Sequence, residues 1–187
     1  MKLPEAFDQA RQEFGRRVHQ VRHDQWQAPT PCSDWSVRDL VNHLVGEQLW
    51  APWLLRGATL EEVGDRFDGD VLGGDPVRAW DQAARESWAA FHAPDALDRP
   101  VQTGAGPTPG DEYARQMTLD LTVHAWDLAR AIGADEQLDG NLVSAVHDYA
   151  ATHLSSWQQS GLFAAPVQVP DDAGPQDRLL ALLGRTP

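Results

Sequence analysis

Apolar residues recur every three to four positions in one segment of this chain after another, and no run alternates apolar and polar side chains as a half-buried strand would. That periodicity predicts an all-α architecture. A first helix is expected from about Pro4 to His23, with Phe7, Ala10, Phe14, Val18 and Val21 on one stripe, broken by the loop from Gln27 to Asp34 with its Pro29 and Pro31. Ser36 reads as an N-cap with Asp39 at the third helical position, and the stripe Val37, Leu40, Val41, Leu44, Val45 carries a second helix to about Arg56. Thr59 to Glu62 could start a short helix, and Asp75 followed by Pro76 opens a third long one through about Ala93. Arg99 to Gly110, dense in glycine and proline, is an irregular connection with room for a short hairpin. A fourth long helix runs from about Asp111 to Ile132 and stops at Gly133, and a fifth spans roughly Asp139 to Ser160. After a proline-rich stretch from Phe163, Asp177 to Leu183 forms a last short helix stopped by Gly184. The simplest packing is a bundle of four long helices with a short accessory fifth element, a frame in which facing side chains build a buried site.

With 187 residues the chain fits one domain, 1–187, with a core of ordinary size. Its 28 acidic against 15 basic residues give a net charge of -13, which argues against nucleic acid or an anionic membrane surface as partner. The first residues lack the apolar core of a leader, and no segment approaches the ~20 apolar residues of a membrane helix, so a cytoplasmic location is expected. A single cysteine, Cys32, excludes an internal disulfide and a cysteine-clustered zinc site, so a metal here is expected to use imidazole and carboxylate.

Three polar residues stand out against the apolar stripes. On the fourth long helix the inward stripe passes through Met117, Leu121, His124, Leu128 and Ala131, and Asp120 lies one turn before His124 on its edge. On the second, His43 continues the line of Leu40 and Leu44, with Glu47 one turn further. Polar groups left uncompensated on apolar faces are costly, and one divalent ion shared by His43, Asp120 and His124 is the most economical remedy. Spacing alone leaves a second reading open, in which the histidines bond backbone carbonyls and Asp120 merely holds His124 by a hydrogen bond. Glu47 suits a fourth ligand, an acceptor behind the ligands, a general base or a solvated carboxylate. Asp127, three residues after His124, could orient its imidazole or pair with Arg130. Cys32 precedes a helix N-terminus, where thiol pKa values fall, but no partner base can be named for it. His19, His23, His92, His147 and His153 show no partner at ligand spacing. The eight tryptophans, Trp35, Trp50, Trp53 and Trp126 among them, fill the core and helix ends, with one or two free to line a pocket for an apolar substrate.

Three blocks of sequence carry a resemblance. Pro29-Thr30-Pro31-Cys32-Ser33-Asp34-Trp35-Ser36-Val37-Arg38-Asp39-Leu40-Val41-Asn42-His43-Leu44, then Val123-His124-Ala125-Trp126-Asp127-Leu128-Ala129-Arg130, and finally Asp177-Arg178-Leu179-Leu180-Ala181-Leu182-Leu183-Gly184-Arg185 resemble the actinobacterial family related to the N-terminal domain of mycothiol-dependent maleylpyruvate isomerase. The resemblance covers nearly the whole chain. It implies a DinB-like four-helix bundle with short accessory helices and a C-terminal tail. It also implies that His43 and His124 are histidine ligands of a metal, zinc foremost with nickel compatible, and that Asp120 stands where the family pattern has a glutamate ligand. Mycothiol is the implied cosubstrate, activated by the metal for transfer or addition-linked isomerisation. The basic residues, 14 arginines and one lysine, fit such a host.

Two departures qualify the implication. Aspartate for glutamate shortens the ligand by one methylene, about 1.5 Å of reach, so an ion must sit nearer the fourth long helix or bind less tightly. The chain also ends at Pro187 without room for the isomerase's separate C-terminal domain, so thiol transfer to a small electrophile is the expected activity and maleylpyruvate isomerisation is not. On that reading Glu47 accepts the thiol proton. A hydrolase using metal-activated water needs the same open ion. A non-enzymatic bundle that keeps the site as a metal or small-molecule pocket is the alternative from another class. Partners are then a small-molecule substrate and a low-molecular-weight thiol, with exposed apolar residues leaving a homodimer open.

Overall fold

The computed structural model describes residues 1–32, 34–160 and 164–187, with the backbone alone over 154–160. Ser33 of the first loop and Phe163 at the start of the tail therefore lie outside the described residues. The helices are α1 (Leu3–Val18), α2 (Val37–Leu55), α3 (Leu60–Val63), α4 (Pro76–Phe91), α5 (Gly110–Ile132), α6 (Gly140–Ser160) and α7 (Pro175–Leu182). Between α4 and α5 the irregular connection forms the hairpin it had room for, β1 (Val101–Thr103) antiparallel to β2 (Gly106–Thr108), with Val101 opposite Thr108. The fold is the expected all-α, DinB-like bundle: α1 lies along α5 and α2 along α4, and the two pairs close through α2 on α5 and α1 on α4. The fifth long helix, α6, rests outside the bundle against α5, α1 and α7.

The stripes read from sequence are the buried ones: Phe7, Ala10, Phe14 and Val18 from α1, Leu40, Val41, Leu44 and Val45 from α2, Leu121 and Leu128 from α5. Two local signals position the site. Ser36 caps α2 by accepting from the Asp39 amide, while Asp39 Oδ2 accepts from the Ser36 amide at 2.9 Å. The preceding loop folds back on itself through Val37 N to Ala28 O at 2.9 Å and Thr30 N to Trp35 O at 3.1 Å, which carries Cys32 and Trp35 to the end of the bundle where α2 and α5 meet.

The first helix is shorter than its periodicity predicts, ending at Val18 instead of His23. The cause is tertiary. Arg17, fully buried, donates to the carbonyls of Asp135 and Gln137 at 2.9 Å, and Gln25 donates to the Ile132 carbonyl at 2.9 Å. These bonds tie the chain to the end of α5, so residues 19–27 turn across it, and Val21 packs on the core from outside helical structure. Among the described residues no helix is long and apolar enough to cross a membrane.

Candidate metal centre

Helices α2 and α5 bring the three predicted residues together. His43 Nε2 lies 3.2 Å from Asp120 Oδ2, and His124 Nε2 lies 3.3 Å from Asp120 Oδ1. All three donor atoms fall within 4.8 Å of one another. Bonds of ~2.0–2.2 Å in a tetrahedral shell put neighbouring donors about 3.4 Å apart, so the observed separations suit a shared ion. The shorter Asp120 side chain thus reaches both imidazoles. The group is reachable from solvent, with the His43 and Asp120 side chains 30% and 28% exposed and His124 10%. The Trp35 ring lies over both imidazoles, its centroid 5.0 Å from that of His43 and 5.8 Å from that of His124.

The electrostatics follow from this crowding. Burial pushes the Asp120 carboxyl up, but the two imidazoles outweigh it and hold it well below the ordinary carboxylate range. Burial by itself would lower both histidines, and the Asp120 charge and hydrogen bonds override it, raising His43 and lifting His124 well above its usual value. Glu47 is raised by burial and by the nearby Asp120 charge, with His43 opposing. Its carboxylate makes no hydrogen bond or ion pair among the described residues.

On the opposite side of the His124 ring stands a second acid. Asp127 Oδ2 accepts from Nδ1 at 2.9 Å, so Nδ1 carries the proton and Nε2 is the atom presented to Asp120. Asp127 is fully buried, and of the two roles the sequence left open it takes the one beside His124: its arginine partner is Arg185 at 2.9 Å, while Arg130 pairs with Glu136. Burial raises Asp127, but the bond from His124 and the Arg185 charge bring it below the ordinary carboxylate range.

Cys32 needs correction in two respects. It has the partners sequence reading could not name: its thiol donates to Asp127 Oδ2 at 3.2 Å and lies 3.6 Å from His124 Nδ1. It also forms a second group, Cys32, His124 and Asp127, with the spacing of a mixed metal site, which the argument from a single cysteine had left out. The two groups differ in their neighbours. Arg185 already supplies a positive charge to the second, at 2.9 Å from Asp127 and 3.8 Å from the sulfur. Among the described residues no arginine or lysine pairs with Asp120. At close range the Asp120 charge is therefore offset only by its two imidazoles, and a cation bound there would take the place of their protons.

Of the remaining histidines, His19 meets Asp81 at 2.8 Å and His92 meets Asp8 at 3.4 Å, both away from the centre. Sequence reasoning missed Arg185, and it missed Tyr113, whose hydroxyl is buried with no hydrogen-bond partner among the described residues two turns before Asp120 on α5 and whose ionisation is pushed up by burial and by the Glu47 charge. Trp35, one of the tryptophans expected to fill the core and helix ends or to line a pocket, lies against both imidazoles.

The fold and the site together define a class of all-α helical bundles in which facing helices, here α2 and α5, bring two imidazoles and a carboxylate to one point. Within that class the chain belongs to the mycothiol maleylpyruvate isomerase N-terminal domain family, whose profile matches residues 7–129. It is 35% identical over 189 residues to the uncharacterized proteins Rv0738 and MT0763 of two Mycobacterium tuberculosis strains, H37Rv and CDC 1551, covering 97% of this chain and 96% of each relative. The fold is shared with crystal structures of the mycothiol-dependent maleylpyruvate isomerase. The match is at a TM-score of 0.65 and 16% identity for one, and 0.67 and 15% for a histidine-to-alanine mutant; each covers 86% of this chain and 73% of that one.

Proposed function

We propose that the chain is a single-domain, cytoplasmic, metal-dependent thiol transferase that joins mycothiol to a small electrophile, with a divalent ion, zinc foremost and nickel compatible, held by His43, Asp120 and His124. The observation that carries this reading is the convergence of two Nε2 atoms and one carboxylate on a solvent-reachable face where, among the described residues, no arginine or lysine pairs with the carboxylate, in a chain of this family. The donor set fits the group: imidazole and carboxylate suit zinc, and three protein ligands leave a position open. When bound, the ion would supply positive charge that favours thiolate over thiol at neutral pH.

The chain's own residues do the rest. Asp127 holds the Nδ1 proton of His124 and keeps Nε2 turned toward Asp120. Trp35 shields both imidazoles from bulk water on one side. Glu47, one turn beyond His43, takes the proton that leaves the thiol; its raised pKa moves it toward the operating pH a proton acceptor needs.

Elemental analysis of untagged protein beside His43→Ala and His124→Ala, with a conjugation assay using mycothiol and a panel of an aryl halide, an epoxide and an enone, tests the reading. Stoichiometric metal lost in both variants, with thiol-dependent conjugation, is expected. Turnover of ester or amide substrates that persists without thiol points to hydrolysis instead, and a metal-free parent overturns both enzymatic readings.

A further inference from the structure

The fully buried Asp127 gathers donors from three separate parts of the chain. They are the His124 ring on its own helix, the Cys32 thiol from the loop before α2, and the Arg185 guanidinium from the C-terminal segment, 58 residues further on. A buried carboxylate needs every one of its lone pairs engaged, and here the charge is balanced by Arg185 whatever sits on the far side of His124. Delivery of that arginine is built into the fold. Leu179, Leu180 and Leu183 of the segment are fully buried. Gly184 turns the chain with φ of 81°, in the left-handed region, and the Arg185 amide then donates to the Leu180 carbonyl at 2.9 Å. Arg130 ties the next residue down by donating to the Thr186 carbonyl at 2.8 Å. Arg185 Nη1 also donates to the Leu183 carbonyl at 3.0 Å, so the guanidinium is fixed from its own backbone as well as from Asp127.

We propose that Cys32 and Arg185 are positioning residues for the metal centre: they clamp Asp127, Asp127 clamps the His124 ring through Nδ1, and the docked C-terminal segment thereby sets how firmly Nε2 is presented to an ion. The proposal rests on the reading of His124 as a ligand. It goes beyond it by placing control of the centre in two segments that supply no ligand. A buried salt bridge serving packing alone would leave the Nδ1 hydrogen bond and the orientation of the imidazole unchanged when removed.

The test uses the full chain and four variants: Arg185→Leu, Arg185→Lys, Cys32→Ala and Asp127→Asn. Zinc affinity is measured by competition with a chromophoric chelator, and the cobalt(II) absorption spectrum reports ligand geometry. In ion-free protein, nitrogen-15 correlation spectra of the His124 ring report whether its Nδ1–H stays hydrogen-bonded. Removing such outer partners typically costs about 10- to 100-fold in metal affinity. We expect a loss in that range for Arg185→Leu and Asp127→Asn, with an altered cobalt spectrum and faster exchange of the Nδ1 proton, a smaller loss for Cys32→Ala, and partial rescue by Arg185→Lys, which keeps the charge but not the planar fork. Folded Arg185→Leu and Cys32→Ala proteins with the parent's affinity, cobalt spectrum and Nδ1–H signal overturn the proposal. If Arg185→Leu does not fold, Arg185→Lys and Cys32→Ala decide it by the same readouts. Should the parent bind no metal, the ligand reading fails, and the ring spectra still show whether the clamp on His124 exists.

Discussion

The two sides of the His124 ring are built from the same chemistry and behave oppositely. On the Nδ1 side, Asp127 is fully buried and Arg185 is 14% exposed, with a thiol closing the group; acid and base cancel inside the protein. On the Nε2 side, Asp120 and His43 are about twice as exposed as Arg185, at 28% and 30%, and among the described residues no arginine pairs with the carboxylate. A carboxylate with its own guanidinium is finished as a structural element. A carboxylate facing two imidazoles is finished only by a proton or an ion, and that difference separates the framework of this molecule from its site.

The sharpest break between the two sides concerns metal. His43→Ala, Asp120→Ala and His124→Ala each remove a donor from a three-ligand set, so zinc retention after gel filtration is expected to disappear in all three, read by elemental analysis. Retention in Asp120→Ala would show that the carboxylate is dispensable and merge the two sides.

Stability should show the reverse order. Asp127→Ala strips the mostly buried Arg185 of its carboxylate and His124 Nδ1 of its 2.9 Å acceptor, a loss of about 3–5 kcal/mol in urea unfolding of ion-free protein. Asp120→Ala, at a more exposed pair of contacts, is expected to cost clearly less in the same experiment. Equal losses would contradict the division.

pH sharpens the contrast further. In ion-free protein Asp120 is depressed and His43 and His124 are raised. The carboxylate's contribution to stability is present above its unfolded value of 3.8 and lost as pH falls through the folded one. The contribution of the imidazoles is present below their unfolded value of 6.5 and lost as pH rises through the folded ones. Ion-free protein therefore gains most from this cluster between those two values. The increment in Tm on adding zinc should instead grow from mildly acidic to mildly alkaline pH, because the same imidazoles must shed their protons to bind it. A zinc increment that shrinks as pH rises would count against these ligands.

The smallest effect belongs to the closed side's turn. Gly184→Ala places a Cβ at a φ of 81°, and that atom would sit 2.7 Å from Ala164 Cβ. About 1–2 kcal/mol of strain is expected, together with a weakened hold of Arg185 on Asp127, read by thermal melting and by the His124 ring spectra.

The open side was legible in the sequence because helices are periodic. His43 on the line of Leu40 and Leu44, and Asp120 one turn before His124, fix which way those side chains face before any tertiary structure is known. The Ser36 and Asp39 cap, the stop at Gly133 and the final short helix were legible for the same local reasons. The closed side was not. Cys32 reaches Asp127 across 95 residues and Arg185 reaches it across 58, and no local pattern encodes which distant segment a loop or a tail will dock against. The early end of α1 belongs to the same class, since Arg17 turns the chain by bonding carbonyls more than a hundred residues away.

X-ray absorption at the zinc edge of the loaded protein, without added thiol, tests the central claim most directly. The account predicts a first shell of nitrogen and oxygen alone at ~2.0–2.2 Å, with imidazole scattering from two histidines, from an ion on the His43, Asp120, His124 face. A sulfur neighbour at ~2.3 Å with scattering from one imidazole would place the ion at Cys32 and Asp127 instead, and would contradict it.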